Sequence, residues 1–417
     1  MEKKVIAVIG GGASGFAAAI NAAMINKDNI EVIILEKMDR VGKKILATGN
    51  GRCNITNINA SAQYYHGKNM KFIKTVLENY TVKDTLDFFE KLGILPKIED
   101  EGRVYPYGNQ ASGVLDVLRL KAENLGIKEI CDFEVNSLKK QGNKFILNDK
   151  KGKKQIADKV IVTAGGKAAP NLGSDSSGYK LMTSMGHSCT ELFPALVQIK
   201  SSSSYVKALN GVKVNAVASV SRNKKILRKE KGEVLFTEYG LSGILIMQLS
   251  RIVAEHFINK NTKGEEITVI LDLMPEYDKD KLFSILQKRV KEQGWKSLES
   301  FFNGMFNKKI GQAVLKAAGI SPLSRLAETL NKTEIENIVK IIKEWSFAAT
   351  GVMNWSNAQV TAGGIKTDEF NPDTMQSNKV KGLYAAGEIL DVDGDCGGFN
   401  LQWAWSSGAI AGRSAAK

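Results

Sequence analysis

Three glycines and one acid are the first residues in this 417-residue chain whose spacing could do chemistry. In VIAVIGGGASG, Gly10, Gly12 and Gly15 follow a β-branched run from Val5 to Ile9 and precede an alanine-rich stretch with the look of a helix. A second strand-like run, IEVIILE, ends at Glu36, 21 residues beyond Gly15. That succession is the pattern a dinucleotide requires. Gly10 allows the tight turn, Gly12 lets the backbone approach a pyrophosphate, and Gly15 lets the helix pack closely, while the helix start aims free N–H groups at the phosphates. Glu36 is placed to accept hydrogen bonds from a ribose diol. A bare G-x-G-x-x-G says little, but strand, turn, helix, strand and terminal acid together are specific.

The glycine turn alone does not separate NAD from FAD, and two further stretches bear on the choice. GLYAAGEILDVDGDCGGFNLQWAWSSGAIAG, near the other end, reads as a short buried strand, a Gly-Glu turn, an acidic glycine-rich loop and a helix of small residues. Gly397, Gly398 and Asn400 stand where that helix begins and offer backbone donors to an anion. A cofactor clasped by both ends of the chain suggests FAD, because a helix start favours the negative charge that develops at N1 and the C2 carbonyl of a reduced flavin. In KVIVTAGG, a strand ends in Thr163, Ala164, Gly165 and Gly166, small enough to pass close to a cofactor.

Other chemistries are poorly served. Cys53, Cys131, Cys189 and Cys396 form neither a C-x-x-C pair nor a zinc spacing, and reduced thiols in a cytoplasmic protein fit best. His66, His187 and His256 are far apart, so no metal site is expected. The start, MEKKVIAVIGGGASG, is not a signal peptide, because Gly10, Gly11, Gly12 and Gly15 break the apolar run. No uninterrupted apolar stretch is long enough to span a membrane. The net charge of +14 raises nucleic acid as a partner. Its lysines, however, concentrate in KKQGNKFILNDKKGKK and SRNKKILRKEKG, which read as exposed hairpins. Binding to RNA is therefore the alternative, and a small-molecule substrate the main expectation.

GGGASG, LEKMDRVGKKILATGNGRCNITN, EGRVYPYGNQASGVLDVL, VTAGG, FTEYGLSG, NKKIGQAVLKAAGI, AQVTAGGI and the glycine-rich stretch near the C-terminus run almost the whole length of the chain. In these segments it resembles a group of bacterial FAD flavoproteins that includes aminoacetone oxidases and the enzymes reducing 3-dehydro bile acids, within the glutathione-reductase-like flavoprotein fold. One departure is visible: Ile244 follows GLSG where the family leads one to expect proline. The resemblance implies that Gly42, Lys43, Lys44, Thr48, Gly49, Asn50, Gly51, Arg52, Cys53 and Asn54 wrap the flavin. Lys and Arg there would balance pyrophosphate charge, and amides would match the polar edge of the ring. It also implies contacts from Ala13 and Ser14 in the first turn, Lys37 beside Glu36, and Val135. Gly387 and Glu388 of the Gly-Glu turn, with Asp395, Leu401 and Gln402 near the last helix, complete the set. Cys53 is expected as a small space-filler rather than a nucleophile.

The motifs lie at residues 5 to 54, 160 to 166 and 361 to 402, so the expected fold is α/β. It is a Rossmann-like FAD-binding domain (1–192 and 349–417) split by a β-rich insertion (193–278 and 337–348) and an all-helical one (279–336). Alternation in VKVNAVASVSR and EITVILDLM, then helical periodicity from Lys279, supports the division. A substrate pocket is expected between the flavin face and the insertion. The reaction is hydride transfer through flavin N5, and two directions stay open. One is reduction of an enone with NAD(P)H as a transient co-substrate; the other is oxidation of a small amine with release of peroxide. No second G-x-G-x-x-G follows a strand, so no separate nicotinamide domain is expected. Tyr105, Tyr107, Glu238 and Tyr239 are polar or aromatic residues in family-like segments, and no catalytic acid or base is assigned.

Overall fold

The computed structural model describes residues 3–262 and 264–417. The chain divides into two compact units, Met1–Pro194 with Ala358–Lys417, and Ala195–Asn357.

In the first unit the run KVIAVI forms the strand Lys4–Ile9 at the middle of a five-stranded parallel sheet. Its neighbours are Ile30–Leu35 on one side and Lys159–Val162 on the other, with Lys128–Ile130 and Leu383–Ala385 at the edges. Parallel sheets are covered on both faces, which is why the central strands read as continuous apolar runs rather than alternating ones. Ile6, Val8, Ile34 and Val160 are all buried. The helices Ala13–Asn26 and Phe399–Ala415 pack against each other through small residues: a Cβ on Gly408 would stand 2.4 Å from the Ser14 carbonyl oxygen, and one on Gly412 2.0 Å from that of Ala18. Alanine and glycine are therefore the residues that let these backbones touch. The lysine-rich stretch near residue 140 folds as an antiparallel sheet of Val135–Gln141, Lys144–Asp149 and Lys154–Ala157.

The second unit is a closed barrel with helices attached. Around it run Ile199–Ser201, Gly240–Ser242, Lys225–Thr237, Lys213–Arg222, Ile267–Asp272 and Trp345–Val352. The two alternating segments singled out in the sequence are neighbours, with Val217 opposite Asp272 and Arg222 opposite Ile267. Phe236, Trp345 and Phe347 fill its core. The helix Ile244–Ile258 begins at the residue that replaces the expected proline, and Gly243 caps it. Proline is favoured at a first helical position, and here the helix forms with isoleucine in that place.

The expected boundaries move. The helix Lys332–Glu344 runs eight residues beyond 336, and the strand Trp345–Val352 follows it without a Gly or Pro break. Residues 349–352 are thus a stave of the barrel and not the return of the nucleotide-binding part. Among the described residues no helix is long and apolar enough to cross a membrane.

Candidate functional site

The strand Lys4–Ile9 ends at Gly10, whose φ of +103° few other residues adopt. A Cβ there would lie 2.6 Å from the Thr163 carbonyl oxygen, so the exit of the neighbouring strand closes directly over the turn. The Thr163 hydroxyl reaches the carbonyl oxygens of Ile9 and Gly10, at 2.9 and 2.8 Å, and fixes that approach. Gly12 precedes the helix without any side-chain cap, and a Cβ on it would meet nothing within 4 Å. The first N–H groups of the helix, on Ala13, Ser14 and Gly15, thus open onto a free space that suits an anion. Glu36 is held at the end of the next strand: Gly11 N–H donates to its Oε2 at 2.8 Å and Met38 N–H to its Oε1 at 2.9 Å. Glu36, Lys37, Val135 and Ala164 line one cleft together with Gly10, Phe133 and Gly173.

The second clasp can be placed by helix geometry. Ser14 meets Gly408 and Ala18 meets Gly412, four residues on in both helices, so the two run parallel. The first helix starts one residue before its contact, at Ala13, and the second starts nine residues before, at Phe399. At about 1.5 Å per residue, the second helix start lies roughly 12 Å back from the first, against the common N-to-C direction. That offset is comparable to the reach of the ribityl arm between a pyrophosphate and an isoalloxazine ring. One helix start can therefore face the phosphates and the other the ring.

At this second start Gly398 has φ +100°, and a Cβ on it would strike the Thr56 carbonyl oxygen at 2.4 Å and Asn54 Oδ1 at 2.9 Å. The loop beginning at Gly42 therefore folds onto the start of the last helix. Asn54 Oδ1 is buried and accepts no hydrogen bond within the protein, as expected of an acceptor awaiting a donor on a bound group. Asn57 Nδ2 donates to the Gly397 carbonyl oxygen at 2.9 Å. An orphaned buried acceptor, an open Gly12 and two uncapped helix starts form a cradle that fits FAD.

The basic residues expected around the cofactor each face an acid. Lys37 pairs with Asp175 at 2.7 Å, Lys43 with Asp39 at 2.5 Å and Lys44 with Glu388 at 2.7 Å. Arg52 binds Glu99 at 2.6 Å and Asn109, and lies 3.9 Å over the Tyr105 ring. With each cation facing a carboxylate, backbone amides at the helix start are the groups that open onto the phosphate position. Lys43–Ala47 is a short helix, and the turn after it carries left-handed Gly49, Asn50 and Gly51, with the Thr48 hydroxyl on the Ile45 carbonyl oxygen at 2.6 Å. Cys53 is fully buried, and burial pushes its thiol up to about 11, so it stays protonated.

Several predicted residues act on the protein itself. Gln402 is a buried hub: its Oε1 accepts from the Thr56 hydroxyl at 2.5 Å, and its Nε2 donates to Thr85 and Ser406, both at 2.9 Å. Asn400 clamps Gly394 through both side-chain atoms, while Leu401 packs against the core. Gly387 N–H donates to Ser407, and Glu388 Oε1 accepts from Thr361 N–H. A Cβ on Gly165 or Gly166 would press on Ser174 or Thr361. Tyr107 is exposed, and Glu238 and Tyr239 belong to the barrel unit. Missed by the sequence reading is His66, whose Nε2 lies 2.8 Å from Asp395 Oδ1, together with the stack of Tyr64 on Phe399 at 4.5 Å. His66 lies in no motif, and only the pairing of Tyr65–His66 with Asp393–Gly394 brings it to the site.

Fold and cradle define the class: an FAD-binding oxidoreductase of the Rossmann type. A family model described as the HI0933-like protein Rossmann domain matches residues 4–414, and the chain belongs to that family. It is 38% identical over 412 residues, 99% of each chain, to a 3-dehydro-bile acid delta(4,6)-reductase of Clostridium scindens. It is also 27% identical to a ribosomal RNA dihydrouridine synthase of Haemophilus influenzae, covering 96% of this chain and 95% of that one. Among solved structures, a 3-ketosteroid delta1-dehydrogenase from Sterolibacterium denitrificans is similar over the full length of both chains, with a TM-score of 0.52 and 13% identity, a likeness of fold alone.

Proposed function

We propose that this protein holds FAD noncovalently and reduces a C=C bond conjugated to a carbonyl in a small steroid-like acid, with a reduced nicotinamide docking transiently to reload the flavin. The observation that carries the reading is the parallel helix pair, whose offset starts can serve the two ends of FAD. The 38% identity to a bile-acid reductase over 99% of both chains supports the reductive direction over amine oxidation. The two relatives' names also share a reaction logic, since a 3-oxo-4-ene and a uracil ring each present a C=C bond next to a carbonyl.

When bound, the flavin supplies hydride chemistry, and the protein supplies position and polarity. The amides of Ala13, Ser14 and Gly15 would hold the pyrophosphate, and Glu36, fixed by two backbone N–H groups, would hold the ribose diol. The start of the helix at Phe399 would stabilise negative charge on the pyrimidine end of the ring. Asn54 offers its orphaned acceptor to a ring N–H. Four free cysteines suit a reducing compartment, the cytoplasm, where reduced nicotinamide is at hand.

A second reading has its own support. The insertion, residues 195–357, carries 25 Lys and Arg against 16 Asp and Glu, and a relative that acts on ribosomal RNA matches 96% of this chain. The protein would then reduce uridine in RNA. One experiment separates the two. FAD-loaded protein and reduced nicotinamide are incubated anaerobically with a 3-oxo-4,6-diene steroid acid or with unmodified ribosomal RNA, and products are weighed by mass spectrometry. Gain of two hydrogens by the steroid supports the main reading; gain by uridine alone replaces it with the second.

A further inference from the structure

We propose that His66, held by Asp395, is the acid that delivers the proton when the conjugated bond is reduced; this rests on the reductase reading above. The strand Tyr65–His66 pairs with Asp393–Gly394, so His66 lies directly opposite Asp393. After the four residues Asp395, Cys396, Gly397 and Gly398, the last helix begins at the end assigned to the flavin ring. Asp395 N–H donates to the Tyr64 carbonyl oxygen at 2.9 Å and Tyr64 stacks on Phe399, which ties the histidine strand to that helix start at two points.

The pair has the geometry of an acid–base couple. Nε2 of His66 lies 2.8 Å from Asp395 Oδ1, whose side chain is 9% exposed, while the imidazole is 26% exposed. A carboxylate on Nε2 sets the tautomer and leaves Nδ1 to work. Among the described residues Nδ1 has no partner. Asp393 stands opposite His66 on the facing strand, and Asp395 follows that strand and binds the ring.

Other groups are less suited. His187 spends both ring nitrogens on Glu369 and Ser377. Cys53 and Cys396 are thiols raised by burial, and Tyr105, also raised by burial, is covered by Arg52. His256 belongs to the barrel unit.

Reduction breaks the C=C π bond and forms two C–H bonds. A bound reduced flavin would supply the β carbon with a hydride and its two electrons and would end oxidised. A proton leaves Nδ1–H of the His66 imidazolium for the α carbon, the other proton stays bonded to Nε2 and hydrogen-bonded to Asp395 Oδ1, and water then restores the proton at Nδ1. The test uses FAD-loaded protein, reduced anaerobically and mixed with a 3-oxo-4,6-diene steroid acid, with flavin reoxidation followed by stopped flow. His66→Gln should slow reoxidation by about 10²–10⁴-fold, the usual worth of a general acid, while FAD content and steroid affinity hold. His66→Gly should regain rate with added imidazole, which a merely structural loss would not.

A second readout needs no turnover. With three histidines in the chain, ¹⁵N spectra of the rings can be assigned by single substitutions, and neutral His66 should carry its proton on Nε2 in the wild type and lose that bias in Asp395→Asn. Reoxidation in His66→Gln at the wild-type rate, or an Nδ1–H tautomer in the wild type, would overturn the proposal. Failure of the wild type itself to be reoxidised by the steroid would overturn the reductase reading and this inference with it.

Discussion

Gly412→Ala tests the helix contact from which the cofactor site is built. The added Cβ would stand 2.0 Å from the Ala18 carbonyl oxygen and 2.8 Å from its carbon, and both obstacles are backbone. Ordinary contact needs about 3.4 Å, so the helices must part by roughly 1.4 Å at this point, at the upper end of the 1–3 kcal/mol typical of overpacking. Alanine returns about 1 kcal/mol of helix propensity, leaving a net loss near 2 kcal/mol. For a domain of this size that lowers Tm by about 4–8 °C. Because the start of Phe399–Ala415 is proposed to face the flavin ring, FAD affinity should fall by about tenfold or more, equivalent to 1.4 kcal/mol. Gly113→Ala is the control: it too is a helical glycine, but its Cβ would meet nothing within 4 Å, so propensity alone acts and stability should rise. Differential scanning calorimetry of the apoprotein and equilibrium dialysis against FAD read both effects. If Gly412→Ala melts at or above Gly113→Ala and keeps its FAD, the two helices do not meet as described.

Three further outcomes are expected. Glu36→Ala removes two carboxylate–amide bonds and the proposed ribose contact; FAD retention should weaken by about 1.5–3 kcal/mol, or roughly 10–150-fold, in a chain that still folds, and unchanged FAD content would contradict the ribose reading. Burial pushes the Glu369 carboxyl up, but hydrogen bonds from Lys379, Ser188 and His187 outweigh it and hold the group at about 2 instead of 4.5. A depressed carboxyl stabilises the fold above its unfolded pKa, so this contribution is lost as pH falls from about 4.5 to about 2. Urea unfolding of Glu369→Gln should lack that part of the acid loss. Cys53, buried with its thiol at about 11, should resist iodoacetamide at pH 8 in the native protein and react once it is unfolded, which peptide mapping reads directly.

The parts of the site legible in the sequence are those whose chemistry is local. Gly10, Gly12, Gly15 and Glu36 keep fixed offsets because one strand–turn–helix–strand unit positions all four, and Gly398 announces a helix start by its own backbone need. Long-range pairings were not legible. Lys44 finds Glu388 344 residues away and His66 finds Asp395 329 residues away, and no periodicity records such partners. The acids that face Lys44 and Arg52 lie in other segments of the chain, where no local motif points to them. The boundary at 349 failed for a local reason: helix Lys332–Glu344 passes into strand Trp345–Val352 with neither Gly nor Pro to mark the change.

On the proposed function, the cradle holds a flavin that takes electrons from a nicotinamide and passes them to a conjugated C=C bond. The most direct measurement is anaerobic. Protein loaded with FAD is mixed with NADH or NADPH while its visible flavin band is followed, and the steroid dienone is then added before any air. The band should bleach with the nicotinamide and return with the dienone. A band that stays oxidised with both nicotinamides, or that returns only when air is admitted, would contradict that function.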